Sequence, residues 1–228
     1  MLRAHLGCAL NIMKLNILYS DSCIVVLDKP AGLSVLPEGW EPEAPYLVKM
    51  LEEQFPRIWV VHRLDKSTSG IVVFALTAES HRALNIQFEK HETDKIYHAI
   101  TFGNPPWEEK ITRFPLRVNV GHRHRTIVDD RSGLHSETGF KVLERRPAHA
   151  LVEARPLTGR THQIRVHAYA LGYPLLGDVL YSAPKTDLIA RPALHAYALS
   201  LNHPESNERI SFSAPYPDDL TIALQSLK

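Results

Sequence analysis

The chain has 228 residues, of which 44% are hydrophobic and 22% charged, and its formal net charge at pH 7 is +1. This length suits one large domain or two subdomains with a common core, and the composition is that of an ordinary soluble globular protein. A nearly balanced charge excludes a histone-like protein or a basic tail. Any surface that binds nucleic acid must therefore be a local patch.

The sequence has no membrane or secretory signal. No apolar stretch approaches the ~20 residues that span a bilayer, and the first twelve residues lack the pattern of a signal peptide. The two cysteines, Cys8 and Cys23, have neither metal-ligand spacing nor the pattern of a disulfide framework. We therefore expect a cytoplasmic protein without a membrane partner.

The N-terminal part predicts an extension, two strands and a helix. We interpret residues 1–14 as the extension and residues 15–228 as one domain, in which two subdomains share a sheet. Short strands are expected over 15–19 and 23–27, because both are short apolar runs bounded by turn residues. Apolar residues at helical spacing predict an amphipathic helix over 46–55.

The stretch 60–76 joins a polar loop to an apolar strand. Residues 71–76 are apolar and rich in β-branched side chains, which predicts a buried strand, and Gly70 marks its junction with the loop. Asp65 is the only carboxylate of the loop and lies between Arg63 and Lys66. A carboxylate held by cations and hydroxyl groups stays ionised and can act as a nucleophile or base. An Asp in such a loop is also often a simple turn former.

The rest of the chain predicts more strands than helices. Thr77 is the expected N-cap of a helix that ends near Lys90, and Thr161 the cap of another that Gly172 ends. The further strands are expected over 96–102, 140–143, 150–156, 194–201 and 209–214, with a last helix over 218–227. Because strands do not alternate regularly with helices, we predict an α+β fold with a mixed, largely antiparallel central sheet flanked by helices, and not a Rossmann fold.

Residues 110–125 form the most basic segment of the chain. The segment has no acidic residue, and its cations are Lys110, Arg113, Arg117, Arg123 and Arg125. Such a segment can be an exposed hairpin with solvated charges. Five cations without a local counter-charge favour an edge that contacts phosphates.

Motifs for metals, nucleotides and serine hydrolysis are missing from the sequence. The thirteen histidines include no H-E-x-x-H pair, and His162 and His167 lie five residues apart, on different sides of a helix. No G-x-S-x-G, Walker or G-x-G-x-x-G sequence occurs. We therefore expect neither a metal nor a cofactor.

Residues 62–70, His-Arg-Leu-Asp-Lys-Ser-Thr-Ser-Gly, closely resemble the H-R-L-D-x-x-T-S-G signature of the RluA-type RNA pseudouridine synthases. Five further stretches resemble elements of that family in the same order: Lys29–Gly32, Lys95–Tyr97, Thr158–His167, Gly177–Tyr181 and Leu194–Ala196. The resemblance covers nearly the whole chain from residue 15 onward. It implies the pseudouridine synthase fold without a separate RNA-binding domain.

The resemblance also implies an activity and the residues that carry it. Members of the family isomerise uridine to pseudouridine in structured RNA, here ribosomal RNA, transfer RNA or both, and need no cofactor. By analogy, Asp65 would be the nucleophile, Tyr97 would stack on the target base, and Arg165 would hold Asp65 through a bidentate pair. Arg63 would enter the RNA stack when the uridine flips out.

Further side chains are expected to contact RNA. These are His62, Thr68, Arg160, His162, Arg123 and Arg125. We expect a monomer that does not act on DNA. Two other functions stay open: an inactive RNA-binding or RNA-chaperone protein with the same fold, and a hydrolase that uses Asp65 on another nucleoside or sugar.

Overall fold

A computed structural model describes residues 15–39, 41, 43–121 and 125–227. The strands in these ranges are β1 Asn16–Ser20, β2 Ile24–Lys29, β3 Trp59–Val60, β4 Ser69–Ala75, β5 Asp94–Phe102, β6 Glu109–Thr112, β7 Leu116–Val120, β8 Arg125–Val128, β9 Thr138–Arg145, β10 His149–Pro156, β11 Leu194–Asn202 and β12 Arg209–Ser213. The α-helices are α1 Leu47–Glu52, α2 Ala78–Glu89, α3 Gln163–Ala170 and α4 Asp218–Ser226. None of the helices within these ranges is long and apolar enough to cross a membrane.

Ten of the strands form one sheet. Its main order is β1-β2-β4-β11-β5-β10-β9-β6, with β3 also paired to β4 and β12 to β11, while β7 and β8 form a separate hairpin. The contact between β4 and β11 is parallel, and the other pairs in the described sheet are antiparallel. This confirms the predicted mixed, largely antiparallel sheet flanked by helices.

Strand β4 is buried on both faces at the centre of the sheet. Val72 and Phe74 pack into the core cluster on the side of α1, whereas Ile71 and Val73 pack on the opposite side with Leu84 of α2. A strand covered on both faces needs a continuous apolar run, which is the pattern that predicted it. The loop that carries Asp65 therefore leads directly into a strand that the core holds on both faces.

Gly70 lets β4 and β11 approach each other. Its φ is +107°, and a side chain there would collide with the backbone carbonyl of Ala196. The parallel contact pairs Ser69 with His195 and Gly70 with Ala196, directly after the Asp65 loop. Gly70 is required both for its backbone conformation and for this close packing.

The ends of two helices test the predicted caps. The Thr77 hydroxyl accepts the Ser80 N–H at 3.1 Å, so Thr77 caps α2 as expected. Gly172, with φ of +88°, follows the last turn of α3 and donates its N–H to the Tyr169 carbonyl at 2.9 Å, again as expected. The predicted cap Thr161 is wrong, because α3 begins after His162, whose φ is +56°.

Helix α3 begins later than predicted because the Gln163 side chain organises the preceding turn. The Gln163 amide oxygen accepts the Arg160 N–H at 3.0 Å and the Thr158 hydroxyl at 2.7 Å. The Gln163 amide nitrogen donates to the Glu137 carbonyl at 2.9 Å. This buried glutamine folds residues 158–163 into a compact turn, which propensity-based capping rules do not describe.

Candidate active site

Asp65 lies in the loop between β3 and β4, half-buried, with 23% of its side chain exposed. Its backbone carbonyl accepts the Thr68 N–H at 3.0 Å. Of the cations predicted to flank it, Lys66 instead pairs with Glu38 at 2.6 Å and with Glu41 at 3.1 Å. Among the described residues, the basic side chains with a nitrogen within 4 Å of the Asp65 carboxylate are Arg165 and His162.

Arg165 on α3 is buried and forms its bidentate pair with Asp178. The Arg165 Nε–Asp178 Oδ2 distance is 2.7 Å, and the Nη2–Oδ1 distance is 2.8 Å. The third nitrogen, Nη1, lies 3.6 Å from Asp65 Oδ2. The predicted bidentate pair between Arg165 and Asp65 is therefore wrong, because Asp178 binds two of the three guanidinium nitrogens. Arg165 instead presents the third nitrogen to Asp65, in a fixed orientation.

Tyr97 on β5 points toward the same space. Burial, together with the nearby Asp65 charge, raises the pKa of the Tyr97 phenol well above its usual value. The phenol therefore stays protonated at neutral pH, and it can donate a hydrogen bond but not act as a base. Its ring provides an aromatic wall of the site.

A buried lysine, Lys29, contacts the backbone of the Asp65 loop from the protein interior. Lys29 is fully buried, and its ammonium donates to the carbonyls of Pro30 and Leu33, each at 2.8 Å, and of Lys66 at 3.3 Å. Burial lowers the pKa of Lys29 to about 7, and the attraction of Asp65 opposes this shift. The Lys29–Gly32 turn thus ties the first strands of the sheet to the residue that follows Asp65.

His62 and Thr68, both predicted to contact RNA, have structural contacts in the loop. His62 Nε2 accepts the Val73 N–H at 3.1 Å, and its ring stacks on Phe88 with 4.7 Å between centroids. Burial lowers the pKa of His62 to about 3. Thr68 is buried and donates its N–H to Asp65. Both residues line the site, and their contact with RNA stays a prediction.

Arg160 and His162 lie in the turn before α3. The Arg160 guanidinium donates to the His135 carbonyl at 3.3 Å and is half-exposed at the rim. His162 Nδ1 lies 3.0 Å from the Tyr181 hydroxyl, and its Nε2 lies 3.8 Å from Asp65 Oδ2. Burial lowers the pKa of His162, although the Asp65 charge opposes this shift. Arg63 is exposed beside the site.

The basic segment 110–125 is less free than its sequence suggests. Arg113 pairs with Glu137 at 2.6 Å and Arg117 with Asp129 at 2.9 Å, so both cations have counter-charges from outside the segment. Arg125 lies over the Tyr181 ring, 5.3 Å from its centroid. Arg123 lies outside the described residues. The lack of an acidic residue within the segment therefore did not show that its cations are unpaired, because acidic residues elsewhere in the chain pair with two of them.

The side chains around Asp65 line one cavity of about 400 Å³. Asp65, Tyr97 and Arg165 line it together with every other predicted RNA-contacting residue in the described ranges except Arg125. Its apolar walls include Phe88, Ile164 and Leu194. A cavity that combines the Asp65 carboxylate, cations at its rim and an aromatic wall can hold a flat, polar ring above a nucleophile.

A family model described as RNA pseudouridylate synthase matches residues 23–170. The chain belongs to this family.

Relatives and solved structures agree with this assignment. The chain is 39% identical to ribosomal large subunit pseudouridine synthase D of Neisseria meningitidis (strain Z2491), over 95% of this chain and 62% of that protein. It is 37% identical to the dual-specificity RNA pseudouridine synthase RluA of Escherichia coli K12, over 88% of this chain and 93% of that protein. The structure of human RNA pseudouridylate synthase domain containing 1 matches with a TM-score of 0.75 and 28% identity, over 90% of this chain and 85% of that chain.

Three residues around this candidate site were not predicted to contribute to it. Lys95 lines the cavity two residues before Tyr97 on the same strand, and strand alternation alone could have placed both on one face. Asp178 belongs to an element that resembles the family, but its ion pair with Arg165 spans thirteen positions. Arg191 contacts the Asp65 loop from beyond the cavity, and no motif in the sequence points to it.

A second cluster of chemically active side chains lies at the far turn of the sheet, where Asp21, Cys23 and His203 approach within 4.8 Å. His203 Nδ1 accepts the N–H groups of Glu205 and Ser206, and its Nε2 faces Asp21 at 2.8 Å. Nε2 therefore carries the proton and donates to the carboxylate. Both ring nitrogens of His203 are engaged in hydrogen bonds, so the ring has no lone pair left for a metal. The cluster instead connects two hairpin turns of the sheet.

Two neutral histidines predict acid sensitivity: His195, which is buried, and His62, which is half-buried. Burial lowers the pKa of His62 to about 3 and that of His195 to about 4, whereas an unfolded histidine titrates near 6.5. Between these values the unfolded chain binds more protons, so the free energy of unfolding should fall as the pH drops from 6.5 toward 4. Each group adds up to about 1.4 kcal/mol per pH unit to this slope.

Urea unfolding between pH 4 and 7 measures this slope. His62→Gln retains an acceptor for the Val73 N–H but cannot titrate, so its stability profile should be flatter than that of the wild type. Exposed His135 is the control, and His135→Gln should follow the wild-type profile. Parallel profiles for His62→Gln and the wild type would contradict the assignment of His62.

Proposed function

We propose that this chain is an RNA pseudouridine synthase that isomerises uridine within structured RNA. In this reaction the bond between N1 of uracil and C1′ of ribose breaks, the uracil turns within the site, and a bond from C5 to C1′ forms. The hydrogen on C5 leaves as a proton. The isomerisation is redox-neutral, so the chain's own side chains can perform it without a cofactor.

The observation that carries this proposal is the position of Asp65 in the cavity. Its carboxylate is 23% exposed, lies 3.6 Å from a single Arg165 nitrogen, and shares the cavity with the Tyr97 ring. Because neither oxygen is locked in a short ion pair, the carboxylate is free to attack the uridine. Arg165 presents a positive charge to it, and Asp178 holds Arg165 in place.

The other side chains would hold the substrate. Tyr97 would stack on the uracil, and its protonated hydroxyl could donate a hydrogen bond to it. Exposed Arg63 would take the place of the flipped uridine in the RNA stack. Arg160 at the rim would bind a backbone phosphate, which makes the affinity sensitive to salt.

The RNA is of the ribosomal or transfer class in this proposal. The relatives are named as a ribosomal large subunit enzyme and a dual-specificity RNA enzyme. The chain spans only 62% of the length of the first of these relatives, so the substrate of this chain is a proposal and is not taken over from that relative. Action as a monomer in the cytoplasm, without DNA as a substrate, is part of the same proposal, as is the division into residues 1–14 and a catalytic unit over 15–228.

Release of tritium tests the reaction class. RNA labelled with [5-³H]uridine is isolated from cells that lack this gene and incubated with the purified full chain. We expect tritium to appear in water without release of free uracil, and we expect no reaction with free uridine. Release of uracil would indicate a hydrolase, and RNA binding without either product would indicate a binding protein; both results would overturn the proposal.

A further inference from the structure

Arg191 lies just before β11, outside the cavity, and contacts the loop that carries Asp65. Its Nη1 donates to the Ser67 carbonyl at 3.1 Å, and its Nη2 donates to the Ser69 hydroxyl at 3.3 Å. The same Nη1 also donates to the Leu194 carbonyl at 3.1 Å. One planar group therefore holds the loop after Asp65 against the first residue of β11.

Asp219 fixes the orientation of Arg191. It lies in the first turn of α4, and its carboxylate accepts from Arg191 Nε at 2.7 Å and from Nη2 at 2.9 Å. The Arg191 side chain is only 10% exposed. A bidentate pair of this kind fixes the plane of the guanidinium, so the direction of its remaining N–H groups is also set.

The hydrogen bonds continue beyond the Ser69 hydroxyl. His195 Nε2 faces the Ala214 carbonyl at 3.2 Å, so this nitrogen carries the proton and donates it. His195 Nδ1 is then an acceptor and receives the Ser69 hydroxyl at 2.9 Å. Ser69 consequently has a single orientation in which its oxygen accepts from Arg191. Every group in this chain of hydrogen bonds is paired; Ser69 and His195 are buried, whereas the Asp219 side chain is 44% exposed.

The carboxylate of Asp65 depends on this backbone support. Among the described residues, the nearest arginine and histidine nitrogens lie at 3.6 Å in Arg165 and 3.8 Å in His162, too far for a short hydrogen bond. The position of the carboxylate is therefore set mainly by the backbone of residues 65–69. Lys29 holds the Lys66 carbonyl on one side, and Arg191 holds the Ser67 carbonyl on the other.

We propose that Arg191, held by Asp219, is a positioning residue for Asp65 and couples helix α4 to the catalytic loop. The inference rests on the proposed function, because it assumes that Asp65 reacts with uridine. Without this contact the loop after Asp65 loses one of its anchors. A misplacement of a reacting group by about 1 Å costs about 100-fold in the rate of the chemical step.

Single-turnover kinetics at saturating RNA test this inference. Arg191→Gln is expected to lower the rate about 100-fold, while the dissociation constant for RNA stays within a few-fold of the wild type. Asp219→Asn, which keeps Arg191 but weakens its anchor, should lower the rate by about 10-fold. Arg191→Lys should recover part of the lost rate, because it restores the charge but not the planar fork.

Arg145 provides a matched control. It also joins a carboxylate, Glu108, to backbone carbonyls, among them that of Trp107 at 2.9 Å, but it has no contact with the loop. Arg145→Gln should leave the rate unchanged. Equal rates for Arg191→Gln, Asp219→Asn and the wild type would overturn the inference, as would an equal loss in Arg145→Gln. If Arg191→Gln fails to fold, Asp219→Asn decides. A wild-type chain without turnover would refute the proposed function itself.

Discussion

An Asp65→Asn variant is expected to lose pseudouridine formation by about 10⁴-fold or more and to bind RNA within a few-fold of the wild-type affinity. The amide has the shape of the carboxylate but is a very poor nucleophile. Asp65 makes no short ion pair, so its replacement should change the free energy of unfolding by less than about 1 kcal/mol. Tritium release and filter binding measure the two effects separately.

The control for this variant is another carboxylate that the site does not use. Asp187 is exposed in the loop between Tyr181 and Arg191, and Asp187→Asn should retain full activity. Normal product formation by Asp65→Asn would refute the assignment of the nucleophile. A parallel loss of RNA binding would show that the carboxylate acts in recognition instead of chemistry.

Arg165→Met is expected to have the second-largest effect, on both stability and activity. Asp178 is 1% exposed, and without Arg165 it would be a buried, unpaired charge. Removing one partner of a buried ion pair costs about 3–5 kcal/mol in the free energy of unfolding. Activity should also disappear, because Asp65 loses the positive charge that faces it and helps to orient it. Urea unfolding and tritium release provide the two measurements.

A double variant separates the two roles of Arg165. Arg165→Met combined with Asp178→Asn removes both charges, so most of the lost stability should return. Activity should not return, since the charge beside Asp65 is still missing. An active double variant would mean that Arg165 only neutralises Asp178 and has no part in the reaction.

Local patterns predicted the parts of the fold that local interactions determine. The apolar run of β4 is buried on both faces, Thr77 caps α2, and Gly172 ends α3. Each of these features depends on side chains within a few residues of each other, so the sequence alone contains the information. The short strand β3 was not predicted, because its two residues are a strand only through their pairing with β4.

Long-range pairs set the limit of the site prediction. Motif resemblance brought Asp65, Tyr97 and Arg165 together, and the structure places all three around one cavity. The resemblance did not reveal that Asp178 takes the bidentate position on Arg165, nor that Glu137 and Asp129 pair with two cations of the basic segment. These partners are distant in sequence or lie on another element, so their choice depends on the folded geometry.

The most direct test of the central claim is to map pseudouridine in ribosomal and small RNA from cells with and without this gene. Carbodiimide-dependent stops of reverse transcription locate each site. We expect one or a few stops to disappear on deletion, and to return with the wild-type chain but not with Asp65→Asn. Unchanged stops in all RNAs, or stops that Asp65→Asn restores, would contradict the claim that this chain forms pseudouridine through Asp65.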